Sequence, residues 1–164
     1  MAEKVYDVLF LCTGNSARGV LAEVQLHALG RGKFQAFSAG SHPNGTVNHF
    51  AIEFLQNNGF STDGLRSRSW DEFAVPGAPS MDYIVTVCDQ AAEQCPFWPG
   101  QPLSAHWGIP NPAAIEGTDE HKHRAFRDAA TILRKRIELF TALPVTTLDR
   151  MGLKTHMEEI GKTV

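Results

Sequence analysis

The sequence predicts a single-domain α/β protein, a doubly wound parallel sheet flanked by helices. Three observations predict it. A nearly unbroken apolar run at residues 5–11 is followed at once by a polar turn and then a helical pattern, as expected of a central parallel strand covered on both faces. The strand-then-helix order recurs once more and is followed by two strand-like and two helical segments, an order that suits a parallel sheet with right-handed crossovers. The 164 residues fit one hydrophobic core, since a second domain would leave both halves unusually small.

Each element has its reason. Residues 5–11, VYDVLFL, alternate poorly and read as a buried strand. After the turn CTGNSAR at 12–18, Val20, Leu21, Val24 and Ala28 recur at helical spacing until Gly30 offers a stop. Residues 34–39 read as a second strand, and the Gly, Pro and Asn of 40–45 as a turn. Val47, Phe50, Ala51, Phe54 and Leu55 then form the apolar face of a helix ending near Gly59. Residues 66–73 read as a loop with one short helix, and 81–88 as a third strand rich in Val, Ile and Tyr. Five prolines between 96 and 112 exclude a long regular element, leaving 103–107 for a short last strand. From Thr118, Phe126, Ala129, Ile132, Leu133, Ile137 and Phe140 mark one face of a long helix that Pro144 ends, and 147–160 form a final amphipathic helix. The division expected is an α/β domain at 1–143 with a C-terminal helical extension at 144–164.

Composition sets the functional classes. With 43% hydrophobic and 20% charged residues, the chain has the make-up of an ordinary globular protein, and no apolar run approaches the roughly 20 residues of a bilayer span. The opening residues lead straight into a strand with no secretory pattern, so the cytoplasm is the expected location and no membrane contact is expected. A net charge of -3 with mixed signs gives no footprint for nucleic acid. Three cysteines, Cys12, Cys88 and Cys95, are too few and odd in number for a secreted disulfide scaffold.

The chemistry concentrates in the turn after the first strand. Cys12 and Arg18 bracket Thr13, Gly14, Asn15, Ser16 and Ala17. If these curl around one centre, their backbone N–H groups converge on it. The helix N-terminus adds its positive end, and the Arg18 guanidinium clamps two oxygens. A tetrahedral dianion such as arsenate or phosphate fits such a cradle. The same field favours the thiolate, which makes Cys12 a nucleophile. Gly14 gives the backbone room to turn, and the Asn15 and Ser16 side chains can pin the loop or hydrogen-bond the sulfur. The alternative is a buried strand-end cysteine and an unrelated surface arginine.

The string VLFLCTGNSARGVLAE at 8–23 resembles the signature of the low-molecular-weight protein tyrosine phosphatase family, most closely its thioredoxin-coupled arsenate reductases. The resemblance runs from about residue 5 to 143 and includes FSAG at 37–40 and WGIPNPA at 107–113. It implies a four-stranded parallel sheet with the first strand beside the third, Cys12 as nucleophile and Arg18 as oxyanion binder. It further implies a relay in which Cys88 attacks the Cys12 sulfur and releases arsenite, Cys95 resolves the resulting disulfide, and thioredoxin is the reductant.

Cys88 and Cys95 are seven positions apart. An intact helix would hold them about 10.5 Å apart in rise, beyond the roughly 7 Å Cα limit for a disulfide. The relay therefore requires 89–94 to loop out or unwind. The alternatives are two thiols that fill apolar gaps, or a zinc site with His106, whose spacing matches no common ligand pattern.

One position departs from the family. Asn111 stands where relatives carry an aspartate that protonates the leaving oxygen, and an amide cannot supply a titrating proton. This weighs more against phosphatase chemistry than against arsenate reduction, for which Glu116 and Asp119 are nearby carboxylates. Ala17 replaces a cysteine of some relatives, which leaves Cys88 as the second thiol. Arg66 and Arg68 are candidates to rim the pocket. Trp98 and Trp107 flank the proline-rich segment and are expected to pack it down. His121 and His123 are alternate residues on a helix and share no face, so no metal is predicted, and no cofactor. The reading is an arsenate reductase; the alternatives are a phosphatase using Cys12 and Arg18 alone, and a weakly catalytic oxyanion-binding or redox-sensing protein.

Overall fold

In this computed structural model the residues described are 4–88, 102–144 and 148–164. The chain folds in the order β1 (Tyr6–Cys12), α1 (Arg18–Gly30), β2 (Phe34–Gly40), α2 (His49–Asn57), β3 (Tyr83–Thr86), β4 (Leu103–His106), α3 (Asp119–Thr141) and α4 (Arg150–Ile160). Short 3-10 turns occupy Trp70–Phe73 and Pro112–Ala114. The four strands make one parallel sheet ordered β2-β1-β3-β4.

That order follows from burial. In β1 every residue from Val8 to Cys12 is buried, because one face meets the helices and the other does not reach solvent either. Val8, Phe10 and Cys12 face a core shared with α1, α2, α3 and α4, while Leu9 and Leu11 join Ala39 and Ile84 beneath Phe37, Trp70, Phe73 and Met81. Removing each of these large side chains from water contributes about 1.5–3 kcal/mol, so β1 has no alternative place in the sheet. The chain moves from β1 outward to β2 and then returns to the other side of β1 for β3. The strand order thus reverses between β1 and β3, and in open α/β sheets the crevice at such a point, at the carboxyl ends of the strands, is where ligands bind.

Caps fix most helix starts. Asn48 accepts from Phe50 N, Thr118 from His121 N and Asp149 from Gly152 N. The third strand is shorter than the apolar run at 81–88, although Val87 N–H still donates to the Leu11 carbonyl at 2.9 Å. The 148–164 segment packs into the main core through Leu153, Met157 and Ile160. It is pinned by Trp107, whose Nε1–H donates to the Met157 carbonyl at 2.8 Å. Buried Arg136 adds a second pin, with Nη1 donating to the Trp107 carbonyl at 2.6 Å and Nε to the Thr163 carbonyl at 3.0 Å. Among the described residues no helix is long and apolar enough to cross a membrane.

Candidate active site

The loop between β1 and α1 is shaped by what receives its carbonyls. Ser41 N–H donates to the Cys12 carbonyl, His42 N–H to Thr13, Asn44 N–H to Gly14 and Asn48 N–H to Ser16, at 2.9–3.2 Å. Ser67 Oγ adds a bond to the Gly14 carbonyl at 3.0 Å. With these carbonyls engaged by the outer segments, Asn15 N–H turns toward the nucleophile and donates to Cys12 Sγ at 3.2 Å. The N-cap residue of α1, Ala17, has no side-chain oxygen and makes no side-chain cap hydrogen bond, and the positive end of that helix lies at the cavity.

The turn itself is made at Asn15, which takes φ 46, and not at Gly14. Asparagine tolerates this left-handed conformation better than most residues, and here its Oδ1 accepts from Arg68 N–H at 2.7 Å. Gly40, opposite Cys12 on β2, allows the loop to lie against the sheet: a Cβ there would stand 2.3 Å from the Thr13 carbonyl oxygen.

The result is a cavity of about 300 Å³. All seven residues from Cys12 to Arg18 line it, joined by His42, Asn44, Asn111 and Ala113. Cys12 is a free cysteine, 2% exposed, and Arg18 is 3% exposed with Nη1 donating to the Ile109 carbonyl at 3.1 Å. The 107–111 segment thus orients Arg18, and Arg136 in turn holds the carbonyls of Trp107 and Gly108. A larger cleft of about 510 Å³ beside α2 and α3 is lined by residues such as Phe54, Asn57 and Arg127, with no cysteine among the described residues that line it.

Beneath the loop is a polar network that the sequence did not announce. Ser38 Oγ donates to buried Glu23 at 2.9 Å, and the Arg68 guanidinium lies 3.7 Å from the same carboxylate oxygen. Burial pushes the Glu23 carboxyl above its ordinary value, against the opposing pulls of Arg68 and Ser38. The expectation that Arg66 and Arg68 rim the pocket is therefore corrected. Arg66 pairs with Glu72 and Arg68 with Glu23, and neither lines the cavity. Glu116 and Asp119 are exposed and do not line it either.

Asn111 does line it, and its Oδ1 accepts from Ala113 N–H to start the Pro112–Ala114 turn. Trp107 is fully buried and packs against Phe10 and Phe140. Cys88 is fully buried just beyond β3 and is disulfide-bonded. Extending the pairing of Leu11 with Thr86 by one step aligns Cys12 with Val87, so Cys88 stands one residue past the end of β1 on the neighbouring strand. Cys95 and Trp98 lie outside the described residues. Among the described residues, no group of three His, Cys, Asp or Glu side chains is arranged to hold a metal ion.

Comparison with known proteins agrees with this geometry. The family model for low molecular weight phosphotyrosine protein phosphatase matches residues 7–151. An arsenate reductase from Halalkalibacterium halodurans is 35% identical over 133 residues, covering 81% of this chain and 93% of that protein. The arsenate reductase of Bacillus subtilis is 31% identical over 133 residues, with the same coverage of 81% and 93%. The crystal structure of arsenate reductase from Archaeoglobus fulgidus superposes with a TM-score of 0.69 at 26% identity, covering 83% of this chain and 99% of that one.

Proposed function

The chain belongs to the low molecular weight phosphotyrosine protein phosphatase family, and from that premise we propose that it is an arsenate reductase working through Cys12, Cys88 and Cys95. Arsenate enters the cavity, where the N–H groups of residues 13–18 and the Arg18 guanidinium take its oxygens. The Cys12 thiolate attacks arsenic: a sulfur–arsenic bond forms, an arsenic–oxygen bond breaks, and the oxygen leaves as water once protonated. The Cys88 thiolate then attacks the Cys12 sulfur. A disulfide forms, and the electron pair of the sulfur–arsenic bond stays on arsenic, which departs as arsenite. The Cys95 thiolate displaces Cys12 from Cys88, and a dithiol protein of the thioredoxin type reduces the remaining disulfide.

One observation carries this reading over the alternatives: Cys88 adjoins the end of β1 and is disulfide-bonded, while Cys12 is a free cysteine. That is the bonding with which such a relay ends. The relatives reported above, arsenate reductases at 31–35% identity, support the same substrate. A phosphatase would use the same cradle, yet Asn111 lacks the proton that an alkoxide or phenoxide leaving group requires. Cytoplasmic location belongs to this reading, since the relay needs a reducing compartment; so does the absence of nucleic acid, because the substrate is a small oxyanion. The 144–164 helical extension serves here as a cover that holds the 107–111 segment.

The test is multiple-turnover arsenate reduction with thioredoxin as the only reductant. Wild type turns over; Cys88→Ser and Cys95→Ser do not. Cys95→Ser still releases one arsenite per chain, whereas Cys88→Ser stops at the adduct on Cys12. Sustained turnover by Cys88→Ser would overturn the relay.

A further inference from the structure

The reaction begins with an oxygen leaving arsenic, and the residue at the customary acid position, Asn111, has no proton to give it. Of the described residues that line the cavity, Cys12 at the end of β1, Arg18 at the start of α1 and His42 carry a proton on sulfur or on a basic nitrogen. Cys12 is the nucleophile in the proposed reaction, and an arginine does not deprotonate in proteins. We infer that His42 is the general acid of the first step, donating a proton to the departing oxygen.

The geometry ties His42 to the nucleophile. Its backbone N–H donates to the Thr13 carbonyl at 2.9 Å, between the bonds of Ser41 to Cys12 and of Asn44 to Gly14. The 41–44 segment therefore runs along the loop and is bonded to it at three successive carbonyls. Ser41 Oγ lies 3.0 Å from His42 Nδ1, so the ring is held by a contact within its own turn. The other side chains around the cavity that carry polar groups, Thr13, Asn15, Ser16, Asn44 and Asn111, are neutral and do not titrate near neutrality. Histidine is the side chain whose ordinary titration range suits proton donation near neutral pH.

The step balances. The Cys12 thiolate and a hydrogen arsenate dianion form the sulfur–arsenic bond. The arsenic–oxygen bond breaks with its electron pair on the hydroxyl oxygen, and that oxygen takes the imidazolium proton of His42 and leaves as water. His42 becomes neutral and is reprotonated by solvent. Arsenic is not reduced until the second thiol attacks.

The inference rests on the proposed role of Cys12, and the experiment separates the two. Single-turnover arsenite release is followed across pH for wild type, His42→Gln, His42→Gln/Asn111→Asp and Cys12→Ser, with inhibition by inorganic phosphate measured alongside. In wild type the rate falls as pH rises, because the acid must be protonated. His42→Gln is expected to be about 10²-fold slower on the acidic side and to lack that fall, with phosphate inhibition within about threefold of wild type. Adding Asn111→Asp returns at least tenfold of the loss, since the carboxyl supplies the proton from the other side of the cavity. An unchanged rate in His42→Gln, or a loss of rate matched by an equal loss of phosphate binding with no recovery on adding Asn111→Asp, overturns the inference while a dead Cys12→Ser leaves the nucleophile in place. An active Cys12→Ser overturns the nucleophile itself.

Discussion

Arg68 donates its backbone N–H to Asn15 Oδ1 at 2.7 Å, although the two stand 53 positions apart in sequence. Asn15 holds φ 46 at the turn of the oxyanion loop, so this bond stabilises a backbone conformation that few residues adopt. Asn15→Ala should cost about 2–4 kcal/mol, from the strained φ and a buried N–H left unpaired. Asn15→Gly should cost less, about 1–2 kcal/mol, because only the hydrogen bond is lost. Urea unfolding of both variants measures the difference, and phosphate titration shows whether oxyanion affinity falls in the same order.

Gly40 sets how closely the loop approaches β2. In Gly40→Ala the added methyl would meet three backbone atoms, the Thr13 carbonyl oxygen and carbon and the Asn15 nitrogen, and no side-chain rotation relieves that. The loop must shift. The expected result is a loss of about 3 kcal/mol in stability and at least tenfold weaker phosphate binding, by thermal unfolding and calorimetry.

The buried Glu23 carboxyl makes a pH-dependent contribution. Burial raises its pKa above the unfolded value, so between the two values the folded state binds more protons, and stability falls as pH rises through that window. Lowering the pH from neutrality toward the ordinary glutamate range should therefore stabilise wild type relative to Glu23→Gln, which does not titrate. Unfolding free energies of the pair at several pH values test the sign. A gap that stays constant, or that moves the other way, contradicts the burial of this carboxyl.

These networks mark the limit of what was legible in the sequence. The β1–loop–α1 unit was legible because it is local: the apolar run at 5–11, the polar turn and the helical spacing lie within 26 residues. The third strand was read as longer than it is, because apolar character at 87–88 reports burial while pairing stops at Thr86. Ser38, Glu23, Arg68 and Asn15 meet only through tertiary structure, and no period in the chain links them. Arg136 was equally silent, being a cation on a helix whose partners are backbone carbonyls. His42 had one available signal. A parallel neighbour of β1 delivers its own following turn to the same sheet edge, so the turn after FSAG had to adjoin Cys12.

Asn111→Asp tests the acid position from the other side. The carboxylate can accept the Ala113 N–H bond that Asn111 now accepts, so the turn at Pro112–Ala114 should survive. Restoring a general acid, typically worth about 10²–10⁴-fold, should raise turnover of an aryl phosphate by at least tenfold. No gain, with phosphate still bound, would mean that position 111 does not reach the leaving group.

The central claim is that arsenate draws its electrons from cysteine thiols of this chain, and counting those thiols tests it most directly. Fully reduced protein, with three cysteines, is mixed with one equivalent of arsenate in the absence of any other reductant, and free thiols and arsenite are then measured. The account expects one arsenite released and two thiols lost per chain, with Cys12 the thiol that remains. Three thiols retained and no arsenite formed, from protein that still binds phosphate, would contradict it.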